Sequence, residues 1–124
     1  MRRILVTEDS ATMRSLLVAT IEASGDYEVV EAASGFEALR LLPREKVDLI
    51  ITDINMPDIN GLELISYVRK SEVYRTTPLF IISTEGREKD MEKGLALGAN
   101  EYLVKPIDPA RLQDLIRKYL GSDV

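Results

Sequence analysis

Five short apolar runs constrain this chain more than any other feature: Ile4-Leu5-Val6, Val29-Val30, Leu49-Ile50-Ile51, Leu79-Phe80-Ile81-Ile82 and Tyr102-Leu103-Val104. They are β-branched or aromatic in bias, and most are continuous rather than alternating, which suits strands covered on both faces, as in a parallel sheet. Between them lie helical stripes. Met13, Leu16, Leu17, Thr20 and Ile21 form one, and Leu112, Leu115, Ile116 and Tyr119 another. Shorter versions hold Phe36, Leu39 and Leu42, then Leu62, Ile65 and Val68, then Met91 and Leu95. One helix between each pair of strands, recurring about every 20–30 residues, is the rhythm of a doubly wound α/β fold with helices on both faces.

Boundary residues agree. Ser10 is placed to cap the first helix, and Asp108-Pro109 supplies an N-cap followed by proline at the first helical position. Gly98 and Gly121 stand where helix C-terminal glycines belong. No linker, repeat or composition shift divides the 124 residues, so a single domain over 1–124 is expected.

Composition then removes whole classes of chemistry. With no cysteine and no histidine, disulfides, thiolate zinc sites, thiol nucleophiles and imidazole bases are excluded. A net charge of −5 argues against a nucleic-acid partner. No apolar run approaches the roughly 18 residues of a membrane helix, and the Met1-Arg2-Arg3-Ile4-Leu5-Val6 start is too short for a signal peptide. A soluble cytoplasmic domain with neither nucleic-acid nor membrane partner is the expectation.

In open α/β sheets ligands bind at the carboxyl ends of the strands. Glu8 and Asp9 follow the first run, Asp53 the third, Ser83 and Thr84 the fourth, and Lys105 the fifth. Singly, an Asp or Ser there is equally a helix cap. Lysine is not an N-cap, and its charge opposes the positive end of a helix dipole. Three carboxylates in one pocket repel each other unless a cation is present, and magnesium is hard and oxygen-loving. A lysine and a hydroxyl supply the donors that a phosphoryl group needs, and aspartate can itself be the nucleophile.

Glu8-Asp9-Ser10, Asp53-Ile54-Asn55-Met56-Pro57 with Gly61, Ile82-Ser83-Thr84 and Tyr102-Leu103-Val104-Lys105-Pro106 together resemble the response-regulator receiver domains, specifically the single-domain CheY-like type. The resemblance spans essentially the whole chain and implies a flavodoxin-like sheet of order 2-1-3-4-5. It implies that Asp53 accepts a phosphoryl group from a phosphohistidine of a sensor histidine kinase or phosphotransfer protein. Such domains catalyse their own phosphorylation and dephosphorylation without being conventional enzymes. Asp9, Asp53 and the backbone carbonyl of Asn55 would hold Mg2+, with Glu8 reaching it through a water. Lys105 would pair with the phosphoryl oxygens, Ser83 and Tyr102 would form the switch, and the Lys105–Pro106 bond would be cis. An output protein would dock on the face of the fourth helix, fifth strand and fifth helix, as in chemotaxis or motility signalling.

Some residues depart from the pattern. Glu8 stands where many members carry aspartate, Ser83 replaces the commoner threonine, and Thr84 follows where alanine is frequent. Lys105 is expected to serve phosphoryl charge rather than folding, on the premise that it stays partly solvated. Met13 reads as core, Met13-Arg14 also resembles a partner-contact pattern of chemotaxis-type members, and the charge run Glu85 to Lys93 reads as a solvated loop and helix face.

Three rivals remain. An aspartate-nucleophile phosphohydrolase of the haloacid-dehalogenase type wants a second aspartate where Asn55 stands. A flavodoxin-like cofactor binder wants a phosphate-cradling loop where Glu8-Asp9-Ser10 stands. A pure interaction domain that has lost phosphorylation is discouraged by the intact Asp53 and Lys105, and within the receiver reading the alternative to an output role is a phosphate sink.

Overall fold

The computed structural model describes residues 1–84 and 88–121. Strands and helices alternate: β1 (Arg2–Thr7), α1 (Ala11–Ala23), β2 (Tyr27–Ala32), α2 (Gly35–Leu41), β3 (Leu49–Asp53), α3 (Gly61–Lys70), β4 (Leu79–Ser83), α4 (Glu88–Leu97), β5 (Glu101–Val104) and α5 (Pro109–Leu120). The helix starts are set by short polar side chains. Ser10 Oγ accepts the Met13 N–H, Asp108 the Ala110 N–H, Ser34 the Glu37 N–H and Asn60 the Glu63 N–H. Each bond satisfies one of the donors a helix leaves open at its start. Gly98 and Gly121 take φ of +116° and +76°, the left-handed region in which glycine follows a helix without strain.

All five strands are parallel, in the order β2-β1-β3-β4-β5. The chain winds outward from β1 to β2, then returns to place β3 on the other side of β1. That reversal opens a crevice at the carboxyl ends of β1 and β3. Alternate strand residues feed two cores. Leu5, Ile50, Ile81 and Tyr102 face Leu64, Ile65 and Val68 of α3 and Ala38 of α2. Ile4, Val6, Ile51, Phe80, Ile82 and Leu103 face Leu17 and Ile21 of α1 and Leu112 and Ile116 of α5. The three inner strands are buried almost throughout, which explains their unbroken apolar runs.

The outer strands differ. Val29 and Val30 of β2 are only half-buried while Glu28 and Glu31 are exposed, and Val104 at the end of β5 is 42% exposed. An edge strand has one neighbour instead of two, so continuous apolarity there does not bring burial on both faces. Leu16, Phe36 and Leu95, expected on core stripes, are also exposed. Leu17 and Ile21 centre the α1 stripe and leave Leu16 on its flank. Phe36 lies in the first turn of a seven-residue helix, before its axis reaches the sheet. In α4 the residue set against the sheet is Gly94, whose added Cβ would lie 2.5 Å from Ile81 Cδ1, and Leu95 is turned outward. Of the charge run, Glu88, Lys89, Glu92 and Lys93 are exposed as expected, whereas Glu85, Gly86 and Arg87 lie outside the described residues. No described helix is long and apolar enough to cross a membrane.

Candidate functional site

The sheet carries the sequence-selected residues to one edge. Glu8 and Asp9 leave the end of β1, Asp53 ends β3, Ser83 ends β4 and Lys105 follows β5. Register fixes their relative heights: Thr7 lies beside Thr52, Asp53 beside Ile82, and Ser83 beside Val104. Three backbone bonds extend the sheet past its formal end, Glu8 N–H to Ala32 O at 3.0 Å, Ile54 N–H to Ile82 O at 3.1 Å and Lys105 N–H to Ser83 O at 2.7 Å. Gly61 lets α3 start close by, since a Cβ there would stand 2.7 Å from the Asp53 carbonyl oxygen. The Lys105–Pro106 peptide is cis, as the resemblance implies.

Lys105 Nζ donates to Glu8 Oε1 at 2.6 Å and to Asp53 Oδ2 at 3.1 Å. The other oxygens are also held: Glu8 Oε2 accepts the Ser10 N–H and Asp53 Oδ1 the Asn55 N–H, both at 3.1 Å. Glu8 is 1% and Asp53 5% exposed, while Asp9 and Asn55 are exposed. Burial pushes the Glu8 carboxyl above its ordinary value, and the bonds from Lys105 and Ser10 only partly offset it. For Lys105 burial alone would lower the pKa, but the bonds to Glu8 and Asp53 outweigh that and hold it raised. The Lys105 side chain is 10% exposed, part-buried between the two acids. Its carboxylate partners are almost fully buried, so removing the lysine would leave two acids unpaired in the interior.

Carboxylate oxygens of Glu8, Asp9 and Asp53 lie within 4.8 Å of one another. Three carboxylates against one lysine leave an excess of two negative charges, which a divalent cation would neutralise. An all-oxygen donor set fits magnesium rather than zinc or copper. Asp9 is the open member of the trio. Glu8 and Asp53 each have both oxygens bonded within the protein.

Ser83 is fully buried at the floor of this pocket, and Thr84 beside it is exposed. Tyr102 is 8% exposed, sits in register with Ile81 and packs in the core on the α2–α3 side. Ser83 and Tyr102 therefore belong to neighbouring strands, with the tyrosine two residues further from the edge. Met13 packs against the α1–α5 core as expected.

Sequence reasoning missed the part played by Arg14 and Asp58. Arg14 NH1 donates to the Glu8 carbonyl at 2.7 Å and its Nε to Glu31 at 3.2 Å, bracing the acidic loop against β2. Asp58 accepts two N–H groups from the start of α2. The bonds to Glu31, Gly35 and Phe36 join residues 17 to 23 positions apart, and no local spacing announces them.

Comparison with known proteins agrees with this geometry. Residues 4–117 match the response regulator receiver domain family. The chain is 40% identical over 121 residues to the chemotaxis protein CheY homolog of Campylobacter jejuni, covering 97% of this chain and 93% of that protein. Among solved structures, chemotaxis protein CheY4 of Vibrio cholerae superposes with a TM-score of 0.89 at 35% identity, over 96% of this chain and 98% of that one. The receiver domain of a Pseudomonas aeruginosa sensor histidine kinase superposes with a TM-score of 0.88 at 30% identity, over 98% of both chains, and holds a magnesium ion in its active site cleft. A sheet of order 2-1-3-4-5, an acidic trio bridged by lysine at its carboxyl edge, and matches over nearly the full length converge on one conclusion: this chain is a CheY-like member of the response regulator receiver domain family.

Proposed function

We propose that the protein is a cytoplasmic single-domain response regulator that accepts a phosphoryl group on Asp53 and changes its affinity for an output protein. The observation that carries the reading is the Lys105 ammonium, held 3.1 Å from Asp53 Oδ2 and 2.6 Å from Glu8 Oε1 beside exposed Asp9. An Asp53 carboxylate oxygen attacks the phosphorus of a phosphohistidine; the P–N bond breaks, imidazole leaves, and an aspartyl phosphate remains. Water attack later releases inorganic phosphate and restores the carboxylate. Asp9, Asp53 and the Asn55 carbonyl would hold magnesium, with Glu8 acting through a water. The metal would supply charge neutralisation to the transferring phosphoryl oxygens. Lys105 would swing from the carboxylates to a phosphoryl oxygen, and the Ser83 hydroxyl would donate to another.

Ser83 sits on the strand that leads to α4, and Tyr102 on β5 is the neighbouring packed aromatic. A serine drawn toward phosphate would repack that tyrosine, biasing two discrete arrangements. Exposed Leu95, Leu97 and Val104 on α4 and β5 support an output surface on the α4–β5–α5 face. The likeness to CheY proteins supports a chemotaxis-like pathway fed by a histidine kinase. The phosphohydrolase alternative is disfavoured because Asn55, at the general-acid position, cannot trade protons at neutral pH.

The test is incubation with acetyl phosphate and magnesium, borohydride trapping and peptide mapping. Label is expected on Asp53 alone and absent from D53N. Label elsewhere in the wild type, or undiminished label in D53N, overturns the assignment. Amide shifts with beryllofluoride should extend to Lys89, Glu92, Tyr102 and Arg111. Shifts confined to the surroundings of Glu8, Asp53 and Lys105 would instead favour a phosphate sink.

A further inference from the structure

The loop between β3 and α3 carries Asn55, and its outer part is fastened to a different helix. Asp58 Oδ1 accepts the Gly35 N–H at 3.2 Å and Oδ2 the Phe36 N–H at 3.0 Å. Ser34 already caps α2 through the Glu37 N–H, so Asp58 takes donors that the local cap leaves open. The contact is tight: a Cβ on Gly35 would lie 2.7 Å from both the Ile59 Cβ and the Ile59 carbonyl oxygen. Bonds from the Phe36 N–H and other backbone donors hold the Asp58 carboxyl at about 2, below the ordinary value of 3.8, so it is an anion throughout the neutral range.

The rest of the loop is anchored at its root. Ile54 N–H bonds the Ile82 carbonyl, Gly61 N–H bonds the Ile54 carbonyl at 2.9 Å, and Met56 is buried. Exposed Asn55 lies between those root contacts and the Asp58 clamp. Its N–H is directed to Asp53 Oδ1, so the orientation of its peptide units follows the path of the loop. A loop free to swing at Asp58 would spread the Asn55 carbonyl over several orientations, only some of which meet a cation held by Asp9 and Asp53.

We propose that Asp58 is a positioning residue for the cation site: by clamping the β3–α3 loop to the start of α2, it holds the Asn55 carbonyl ready for the metal. The inference rests on the magnesium reading above and adds a residue that touches neither metal nor phosphoryl group. A plain helix-capping role would lower stability without altering how steeply phosphorylation depends on magnesium.

The experiment uses the full chain, with D58A, D58N and G35A. Magnesium affinity is read from amide shifts, and the rate of labelling by acetyl phosphate is measured across magnesium concentrations. D58A should weaken magnesium binding by about three- to tenfold, at or below the lower end for residues that orient ligands from behind. Its labelling rate should return to the wild-type value at saturating magnesium. D58N, which keeps one of the two accepting oxygens and turns an NH2 toward the other N–H, should fall between wild type and D58A, whereas G35A, which keeps the charge, should reproduce D58A by pushing Ile59 away. Unchanged affinity in D58A overturns the proposal. G35A binding magnesium as tightly as wild type also overturns it, because the charge of Asp58 rather than the clamp would then be responsible. A rate lowered equally at every magnesium concentration would reduce Asp58 to a structural cap. Should the wild-type chain itself bind no magnesium or take no label, the functional reading fails first; wild-type binding with an unaffected D58A fails this inference alone.

Discussion

The two ends of the sheet use the same polar side chains to opposite effect. At the amino end, charge is matched to fixed partners. Arg69 donates to the carbonyls of Gly98, Tyr74, Arg75 and Thr77 and to Asn100 Oδ1, at 2.8 to 3.3 Å, tying the end of α3 to the entries of β4 and β5. Tyr74 hydroxyl bonds the Leu42 and Glu45 carbonyls, and Arg3 pairs with Glu28 and Glu45. At the carboxyl end, one lysine is shared between two buried acids with a third acid alongside. The first end pairs its charges within the chain, with Arg3 Nε left unbonded, and the second keeps carboxylates in excess over its one lysine. Where a parallel α/β sheet keeps unbalanced charge, it keeps its chemistry.

The sharpest way to break this contrast is to delete the central cation at each end. Replacing Arg69 with Met orphans several half-buried carbonyls, and the expected loss is about 3 kcal/mol, or roughly 10 °C in melting temperature. Magnesium should not recover it, and Asp53 labelling at room temperature should persist. A loss recovered by magnesium would erase the distinction between the two ends. Replacing Lys105 with Met leaves Glu8 and Asp53 facing each other in a dry pocket, for an expected loss of about 2 kcal/mol without metal. Here millimolar magnesium should restore most of the stability but not the wild-type response to phosphorylation. Equal melting temperatures with and without magnesium would count against a cation site.

For the wild type, magnesium at ten times its dissociation constant should stabilise by about 1.4 kcal/mol, which a chelator reverses. The smallest effect belongs to the amino end. Tyr119 donates to Glu101 Oε2 at 2.6 Å, and that bond pushes its phenol up to about 12. A raised folded-state pKa favours the protonated phenol. This contribution is therefore complete below pH 10 and lost as pH climbs through about 12. Burial raises Tyr74 as well, so phenolate absorbance should lose one of its late-titrating tyrosines in Y119F, and E101Q should move that one back toward pH 10.

What the sequence disclosed follows the same division. The active edge was legible because strand ends are marked by a change from apolar runs to Glu8-Asp9, Asp53, Ser83 and Lys105, and the sheet itself brings those ends together. The caps at Ser10 and Asp108 were legible because their bonds span two or three residues. Arg69, Arg14 and Asp58 were not, because each is defined by acceptors or donors on another element, and a lone charged residue on a helix or loop looks like any solvated one. Exposure of Phe36, Leu16 and Leu95 was likewise hidden, since periodicity gives a direction around the helix axis and not which part of that direction the sheet covers. The burial of Lys105 depended on how closely two strands bring Glu8 and Asp53 to its ammonium, which spacing along the chain does not encode.

The half-covered outer strands also decide where the sheet stops. Every free strand edge offers a row of backbone donors and acceptors on which a neighbouring molecule could polymerise. β2 presents exposed Glu28 and Glu31 along its six residues, and β5 offers only four residues, opened by Glu101. A strand from a second copy aligned with β2 would have to strip water from those carboxylates, and self-pairing would bring like charges together. Replacing both glutamates with valine would take partners from Arg3 and Arg14 and turn a terminus into a template for strand pairing.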